Sequence, residues 1–309
     1  MRQLLRASLG IVLLSSALLP CAFAQKPFAD EWLARPVNDK TFRTYLDFFI
    51  YDKKLPFDLR VLNVEEQDGV KKENISFQST PGVRIFANLY SLMGSTSQKA
   101  PALILLHGGS ATGKEGLGVI AGGLARAGFV VIAIDMQHFG QRNTGLLSTF
   151  TEQDKHDRLY NQPSEYLAWV TQTVKDVGRS YDLLVFERGV DPKRIGLVGF
   201  SRGAIVGTIV GAADRRLSAV ALLLGGHFDA LEKGHLPAAC PANYISRISP
   251  RPLLTINGNY DTDHIKESSV APLLRLAKQP KQTIWSQTGH QLTEEHRAIL
   301  LQWLRESLK

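Results

Sequence analysis

The sequence predicts an α/β protein: a mostly parallel central sheet with helices on both faces and antiparallel strands at its N-terminal edge. Three observations carry this. Short, nearly continuous apolar runs at Pro101 to Leu106, Phe129 to Ile134, Arg194 to Gly199, Leu217 to Leu224 and Pro252 to Asn257 have the composition of strands buried on both sides. Helix-patterned segments stand between them, and strand–helix alternation is the mark of parallel strands joined by right-handed crossovers. Ahead of them, Ile75 and Phe77 alternate with polar neighbours, Pro81-Gly82 supplies a turn, and Val83 to Leu92 alternates again, which describes a hairpin.

The helices are expected at Leu117 to Ala127, Ser164 to Arg188, Gly203 to Ala213, around Val270 to Ala277 and from Thr293, with a last strand at Gln282 to Ser286. Residues 25–70 read as a mixed lead-in. Within it, Phe42, Tyr45, Leu46, Phe49 and Ile50 recur at helical spacing over Thr41 to Tyr51, a short amphipathic helix that packs on the main domain. Residues 71–309 form one domain. No internal repeat or low-complexity tract interrupts it.

With 309 residues, 44% hydrophobic and 21% charged, the chain has the composition of a folded globular protein and not of a disordered one. Its first residues read as an export signal. Arg2 and Arg6 precede an apolar run from Ile11 to Leu19, and Ala22-Phe23-Ala24 offers a cleavage site before Gln25. The run is short for a membrane-spanning helix. An uncleaved anchor, or a lipid anchor at Cys21, is the alternative. Cleavage removes residues 1–24 and lowers the net charge from +7 to about +5. That balance comes with no block of Lys and Arg, so nucleic acid is not an expected partner. It also leaves Cys240 as the one cysteine, so an internal disulfide is excluded, and no Cys/His cluster points to a metal.

The chemistry concentrates at Gly199-Phe200-Ser201-Arg202-Gly203, between the apolar strand ending at Val198 and a helix of small residues. A serine used as a nucleophile has to stand on a strained strand-to-helix turn that lifts its hydroxyl clear of the sheet. Strand and helix then approach so closely that flanking side chains would collide, which Gly199 and Gly203 avoid. The helix N-terminus behind the serine favours developing negative charge. Ser201 is therefore the candidate nucleophile. The backbone N–H of Arg202 is one candidate oxyanion donor. His107-Gly108-Gly109-Ser110 ends an earlier buried strand, where the second donor belongs; Gly109 is the first choice, with Gly108 or Ser110 also possible. His107 reads as a residue that holds this loop by hydrogen bonds.

A serine hydroxyl needs a base, and the base an orienting carboxylate. After an elbow of this type the acid precedes the histidine in the chain. His290, in the loop between the last strand and the last helix, is the candidate base; His264 lies too near the acid strand and His296 falls inside the helix. Asp261, in the turn Gly258-Asn259-Tyr260-Asp261, is the candidate acid, with Asp263 as its rival and Asp229 an outside choice.

These stretches together resemble the α/β-hydrolase superfamily, and within it the dienelactone hydrolase-like and acetyl esterase-like branch that shades into prolyl-oligopeptidase-type catalytic domains. The resemblance is carried by Ala102 to Gly109, Leu124 to Asp135, Asp191 to Gly203, Gly258 to Asp261 and Gly289-His290, over residues 70–309. It implies a two-step reaction: Ser201 attacks an acyl carbon with His290 as base and Asp261 orienting it, and water then releases the acid. It implies no metal and no organic cofactor. Two features depart from the pattern. Arg202 stands where a small residue or Met is usual, and its side chain either pairs with a nearby carboxylate or reaches an anionic substrate. Dienelactone hydrolases proper use a cysteine, so Ser201 speaks against that activity.

Substrate choice falls to the two longest inserts, Gly140 to Pro163 and Gly225 to Pro250, both at C-terminal strand ends. His138, Phe139, His227, Phe228 and Tyr260 are candidate pocket residues. The expected activity is hydrolysis of carboxylic esters with small or medium acyl groups, with no stable membrane insertion once the signal is cleaved. An exopeptidase or amidase with the same three residues is the second reading, disfavoured because the N-terminal region is too short for the propeller that gates oligopeptidases. A noncatalytic binding protein on the same fold is the third.

Overall fold

Each central strand sends successive side chains to opposite sides, and that alternation builds two separate cores. A computed structural model describes residues 31–95 and 97–309; the expected signal over residues 1–24 lies outside the described residues. In β4 (Ala102–Leu106), Ala102, Ile104 and Leu106 enter one core while Leu103 and Leu105 enter the other. β5 (Val130–Ile134) divides its side chains in the same way. A strand buried on both faces needs an apolar residue at every position, and all ten residues of these two strands are buried.

The other strands are β1 (Arg60–Gln67), β2 (Val70–Thr80), β3 (Val83–Leu92), β6 (Ile195–Phe200), β7 (Ala219–Leu223), β8 (Leu253–Gly258) and β9 (Lys281–Ser286). They form one nine-stranded sheet in the order β1-β2-β3-β5-β4-β6-β7-β8-β9. From β5 to β9 neighbours run parallel, and β1, β2 and β3 are antiparallel.

The helices are α1 (Glu31–Ala34), α2 (Asp39–Leu46), α3 (Gly118–Arg126), α4 (Glu152–Lys155), α5 (Pro163–Phe186), α6 (Arg202–Ala213), α7 (Ala271–Leu276) and α8 (Glu294–Ser307). α5 and α6 cover one face of the sheet through Trp169, Val170, Val206 and Ile209; α3 and α8 cover the other through Ala121, Leu124, Leu300 and Leu304. α6 is apolar on all sides and buried from Arg202 to Ala212, as a helix enclosed by other elements should be. Among the described residues no helix is long and apolar enough to cross a membrane.

Two parts of the lead-in differ from expectation. Its helix begins earlier and ends sooner, at Asp39–Leu46, followed by a 3-10 turn over Asp47–Phe49; Asn38 sets the start by accepting from the Thr41 N–H. Phe42 packs edge-on against Tyr244 and Phe49 is buried, whereas Ile50 is exposed. Second, residues 60–67 are not loop but β1, an edge strand paired with β2. All eight of its residues are exposed, and the pairing register shifts between Val61 and Asn63. A strand that buries neither face carries no period-two signal, which is why it escapes a reading of apolar alternation.

At the end of β5, Asp135 is fully buried. It accepts from the backbone N–H of Lys114 at 2.8 Å and of Gln141 at 2.9 Å, and pairs with the buried Lys114 ammonium at 2.8 Å. This holds the loop after β4 against the loop after β5. Lys114→Met strips a buried carboxylate of its cation and should cost about 3–5 kcal/mol. Urea unfolding at neutral pH checks this; a loss below about 1 kcal/mol would contradict it.

Candidate active site

Ser201 joins β6 to α6 at φ +54° and ψ −119°, a conformation that L-residues adopt only under constraint from their surroundings. The constraint is visible on both flanks. A Cβ at Gly199 would run into the Gly203 carbonyl, and one at Gly203 into the Leu106 and His107 carbonyls. The turn itself is tied down by the Ser201 N–H donating to Leu223 O at 2.9 Å and by Ser201 O accepting from Ala204 N–H at 2.8 Å.

His290, in the loop after β9, puts Nε2 2.8 Å from Ser201 Oγ and Nδ1 2.8 Å from Asp261 Oδ2. The other Asp261 oxygen accepts the N–H groups of Asp263 and His264, each at 2.9 Å. Burial would lower the His290 imidazole, but the hydrogen bond and charge of Asp261 outweigh it, so the imidazole is held above its ordinary value. Burial would raise the Asp261 carboxyl; its bonds to His290 and to the His264 N–H hold it below the ordinary range. Asp261 thus stays charged and His290 keeps Nδ1 protonated, leaving Nε2 to face the serine hydroxyl. Asp263, the rival acid, is 3.8 Å from Nε2 and 60% exposed. Asp261, Asp263 and His290 are also the one group among the described residues spaced to share a cation, yet His290 and Asp261 are already bonded to each other.

The loop after β4 approaches from the other side. A Cβ at Gly108 would lie 3.2 Å from Ser201 Cβ. Met136 N–H donates to His107 Nε2 at 3.0 Å, so the His107 proton is on Nδ1, which donates to Gly108 O at 2.6 Å. Burial lowers the His107 imidazole and keeps it neutral. Because C=O and N–H of a trans peptide point in opposite directions, the Gly109 N–H is turned away from His107. His107 is accordingly a structural residue of this loop. The next carbonyl, Gly109 O, accepts from the Lys155 ammonium at 2.8 Å.

The Arg202 side chain is buried. One Nη pairs with Asp229, the other with Glu232 at 2.5 Å, and Cζ lies 3.7 Å from the Tyr160 ring centre. Asp229 in turn meets His156 Nε2 at 2.8 Å. Of the two readings of Arg202, pairing with carboxylates is the one the structure bears out. It also shows Asp229 engaged here and not with His290.

Between these walls lies a cavity of about 630 Å³, lined among others by Ser201, His290, Gly108, Gly109, Lys155, His156, Tyr160, Asp229 and His264. Both long inserts reach it, the first through Phe150 to Tyr160 and the second through Asp229 to Leu231. The five residues expected there do not line it. His138 bonds Thr144 Oγ1 at 2.7 Å, within the turn that holds Gly140 to Arg142. Phe139 is buried between His107, Phe150 and Trp169. His227 and Phe228 are buried and stack on each other, 4.0 Å between ring centres, and Tyr260 is 67% exposed. Phe139, His227 and Phe228 turn into the core and Tyr260 out to solvent. Lys155, His156 and Tyr160 went unnoticed because their partners are up to 73 positions away in the chain, and no spacing rule connects them. His264 is buried beside His290, 5.2 Å between ring centres, and burial keeps it neutral; His296 accepts the Thr293 N–H and caps α8.

No protein-family model and no curated protein sequence matches the chain. Solved structures match its fold over most of its length. An acetyl xylan esterase from a Paenibacillus species is 15% identical, with a TM-score of 0.66, covering 90% of this chain and 99% of that one. Acetyl xylan esterase 1 from a Thermoanaerobacterium species is 16% identical, TM-score 0.66, covering 90% and 98%. A cold-adapted esterase from an Arctic intertidal metagenomic library is 18% identical, TM-score 0.58, covering 80% and 98%. Similarity at such low identity speaks for architecture: the chain has the α/β-hydrolase fold.

The Arg202 pairing makes a stability prediction. Arg202→Met takes the guanidinium from Asp229 and Glu232, leaving them their histidine neighbours His156 and His235, and should cost about 3–5 kcal/mol at neutral pH. Burial alone would raise both carboxyls; Arg202, with His156 beside Asp229 and His235 beside Glu232, offsets it and holds both below their ordinary range. Stability from a depressed carboxylate is present above its unfolded value and is lost as pH falls through its folded value. The penalty of the substitution should therefore shrink as pH falls towards and below about 4, as the carboxyls that lost Arg202 take up protons. Urea melts from pH 3 to 8 test this, and a penalty independent of pH would contradict it.

Proposed function

We propose that the chain is a serine hydrolase that cleaves carboxylic esters with small or medium acyl groups. The observation that carries this is the unbroken relay from Asp261 through His290 to Ser201, two 2.8 Å hydrogen bonds ending on a strained turn at a cavity. The fold is shared with proteins named as esterases, which supports the ester class without supplying the substrate.

In this reading the Ser201 hydroxyl gives its proton to His290 Nε2 as Oγ attacks the ester carbonyl carbon. The negative charge that develops on the carbonyl oxygen is received by the N–H groups of Gly109 and Arg202. As the C–O bond to the alcohol breaks, His290 returns the proton to the leaving oxygen, and an acyl-enzyme remains. Water enters, loses a proton to His290 and attacks the acyl carbon; as the acyl–Oγ bond breaks, His290 gives that proton to Ser201 Oγ and the acid is released. Asp261 keeps the imidazole in the required tautomer and stabilises the imidazolium in both halves. The export-type segment at residues 1–24 supports action outside the cytoplasm, on a small-molecule ester.

Turnover of short p-nitrophenyl esters by the protein and by Ser201→Ala tests the assignment. The substitution should remove activity by several orders of magnitude, and turnover that survives it would defeat the reading. Aminoacyl amides in the same assay separate esterase from peptidase. His290 acts as the unprotonated base, so kcat/KM should rise with pH through a limb above about 6.5, the ordinary histidine value. Asp261→Asn should lower the rate on the order of 10⁴-fold. With its carboxylate gone, burial acts less opposed and the limb should move to lower pH; a limb that stays in place would contradict the role given to Asp261.

A further inference from the structure

The two backbone donors assigned to the oxyanion, Gly109 and Arg202, are both gripped by one stretch of the first insert, α4 and the π-helical turn His156–Tyr160 that continues it. On the Arg202 side the grip is the Tyr160 ring against the guanidinium and the His156–Asp229 pair. His156 Nδ1 faces Glu152 O at 2.6 Å and Nε2 faces the Asp229 carboxylate at 2.8 Å. Neither acceptor carries a proton, so both ring nitrogens donate, and the ring is an imidazolium that ties Asp229 to this stretch. On the Gly109 side the grip is a single group, the Lys155 ammonium on Gly109 O.

We propose that Lys155 is a positioning residue for the oxyanion hole, fixing the peptide that follows Gly109 so that the Gly109 N–H is held in place before substrate arrives. This rests on the ester-hydrolase reading given above. Glycine is the residue least able to hold its own backbone angles. Here both flanking peptides are pinned from outside: the one before Gly109 by His107 on Gly108 O, the one after it by Lys155 on Gly109 O. Release of Gly108 O frees the peptide that carries the N–H directly; release of Gly109 O frees the next peptide, so the Gly109 φ and ψ can turn together and the N–H loses its anchor on the far side. A donor counts in the transition state only if it is already aimed. The choice of lysine speaks for such a role. Its side chain is 6% exposed, and its carboxylate partner Glu152, at 2.6 Å, is 65% exposed. A buried ammonium is costly to desolvate, and an apolar side chain of the same length would fill the space at less cost. What it would not do is donate to Gly109 O. A Cβ at Gly109 would sit 3.1 Å from Lys155 Nζ and 3.2 Å from the Tyr160 hydroxyl, so the glycine and the clamp are fitted to each other.

The test compares Lys155→Met and Lys155→Arg with the unaltered protein, by p-nitrophenyl ester kinetics and by the affinity of an alkyl boronic acid that forms a tetrahedral adduct. The Met variant should lose about 10- to 100-fold in kcat, less than the roughly 10²–10³-fold cost of deleting an oxyanion donor outright. Its KM should stay within about threefold and its boronate affinity should fall in parallel with kcat. The Arg variant, which keeps a donor, should recover most of both. A folded Met variant with unchanged kcat and boronate affinity overturns the proposal, and so does a loss confined to KM. If the Met variant fails to fold, Lys155→Leu, which also lacks a donor, replaces it, with the same losses expected relative to Arg; parity between Leu and the unaltered protein overturns the proposal. An unaltered protein that neither turns over esters nor binds boronate defeats the ester-hydrolase reading itself, and the proposal with it. Activity in that protein with indifferent Lys155 variants defeats the proposal alone.

Discussion

The left-handed turn at Ser201 is the constraint on which the rest of the site depends. A serine at φ +54° is held there by its neighbours and not by its own preference. The neighbours are specific: two glycines where any side chain would strike backbone, and a helix buried along nearly its whole length against the sheet. The apolar content of β4, β6 and α6 is therefore part of the chemistry, because a looser core would let the turn relax. The same crossing brings the His107 loop within reach of the serine and lines up the helix N-terminus behind it.

Arg202 shows how a departure from the usual motif is absorbed. A guanidinium next to the proposed nucleophile would be a liability if free, since it would compete for the charge that develops there. Here two carboxylates surround it, a tyrosine ring covers it, and an imidazolium on Asp229 balances the second negative charge in a buried network. Such a network is a weak source of net stability but strongly penalises the loss of any one member. It links the elbow to both long inserts, so the loops that shape the cavity and the turn that bears Ser201 are held by the same charges. The backbone of Arg202 is thereby fixed from its side chain, just as that of Gly109 is fixed from Lys155.

Much of the architecture was legible in the sequence for a physical reason. Strands buried on both faces must be apolar throughout, and the crossing at Ser201 must be glycine-flanked, so both leave local marks. Ser201, Asp261 and His290 were legible because each occupies a fixed place after a strand of that sheet. β1 was not, because a strand exposed on both faces has no burial pattern to betray it. The cavity lining was not either: His227 and Phe228 lie in the expected loop, yet their direction depends on Ser269, which receives their N–H groups from over 40 residues away. Lys155 and His156 read as ordinary polar residues of an insert until folding places them against Gly109 and Asp229.

The central claim is that Ser201, and no other residue, carries the nucleophile. Treatment of the full chain with a fluorophosphonate, followed by peptide mapping, addresses it most directly. A single phosphonyl adduct on the peptide containing Gly199 to Gly203, on the Ser201 side chain, is the result the account predicts. An adduct on a different residue, or none in a protein that hydrolyses esters, would contradict it.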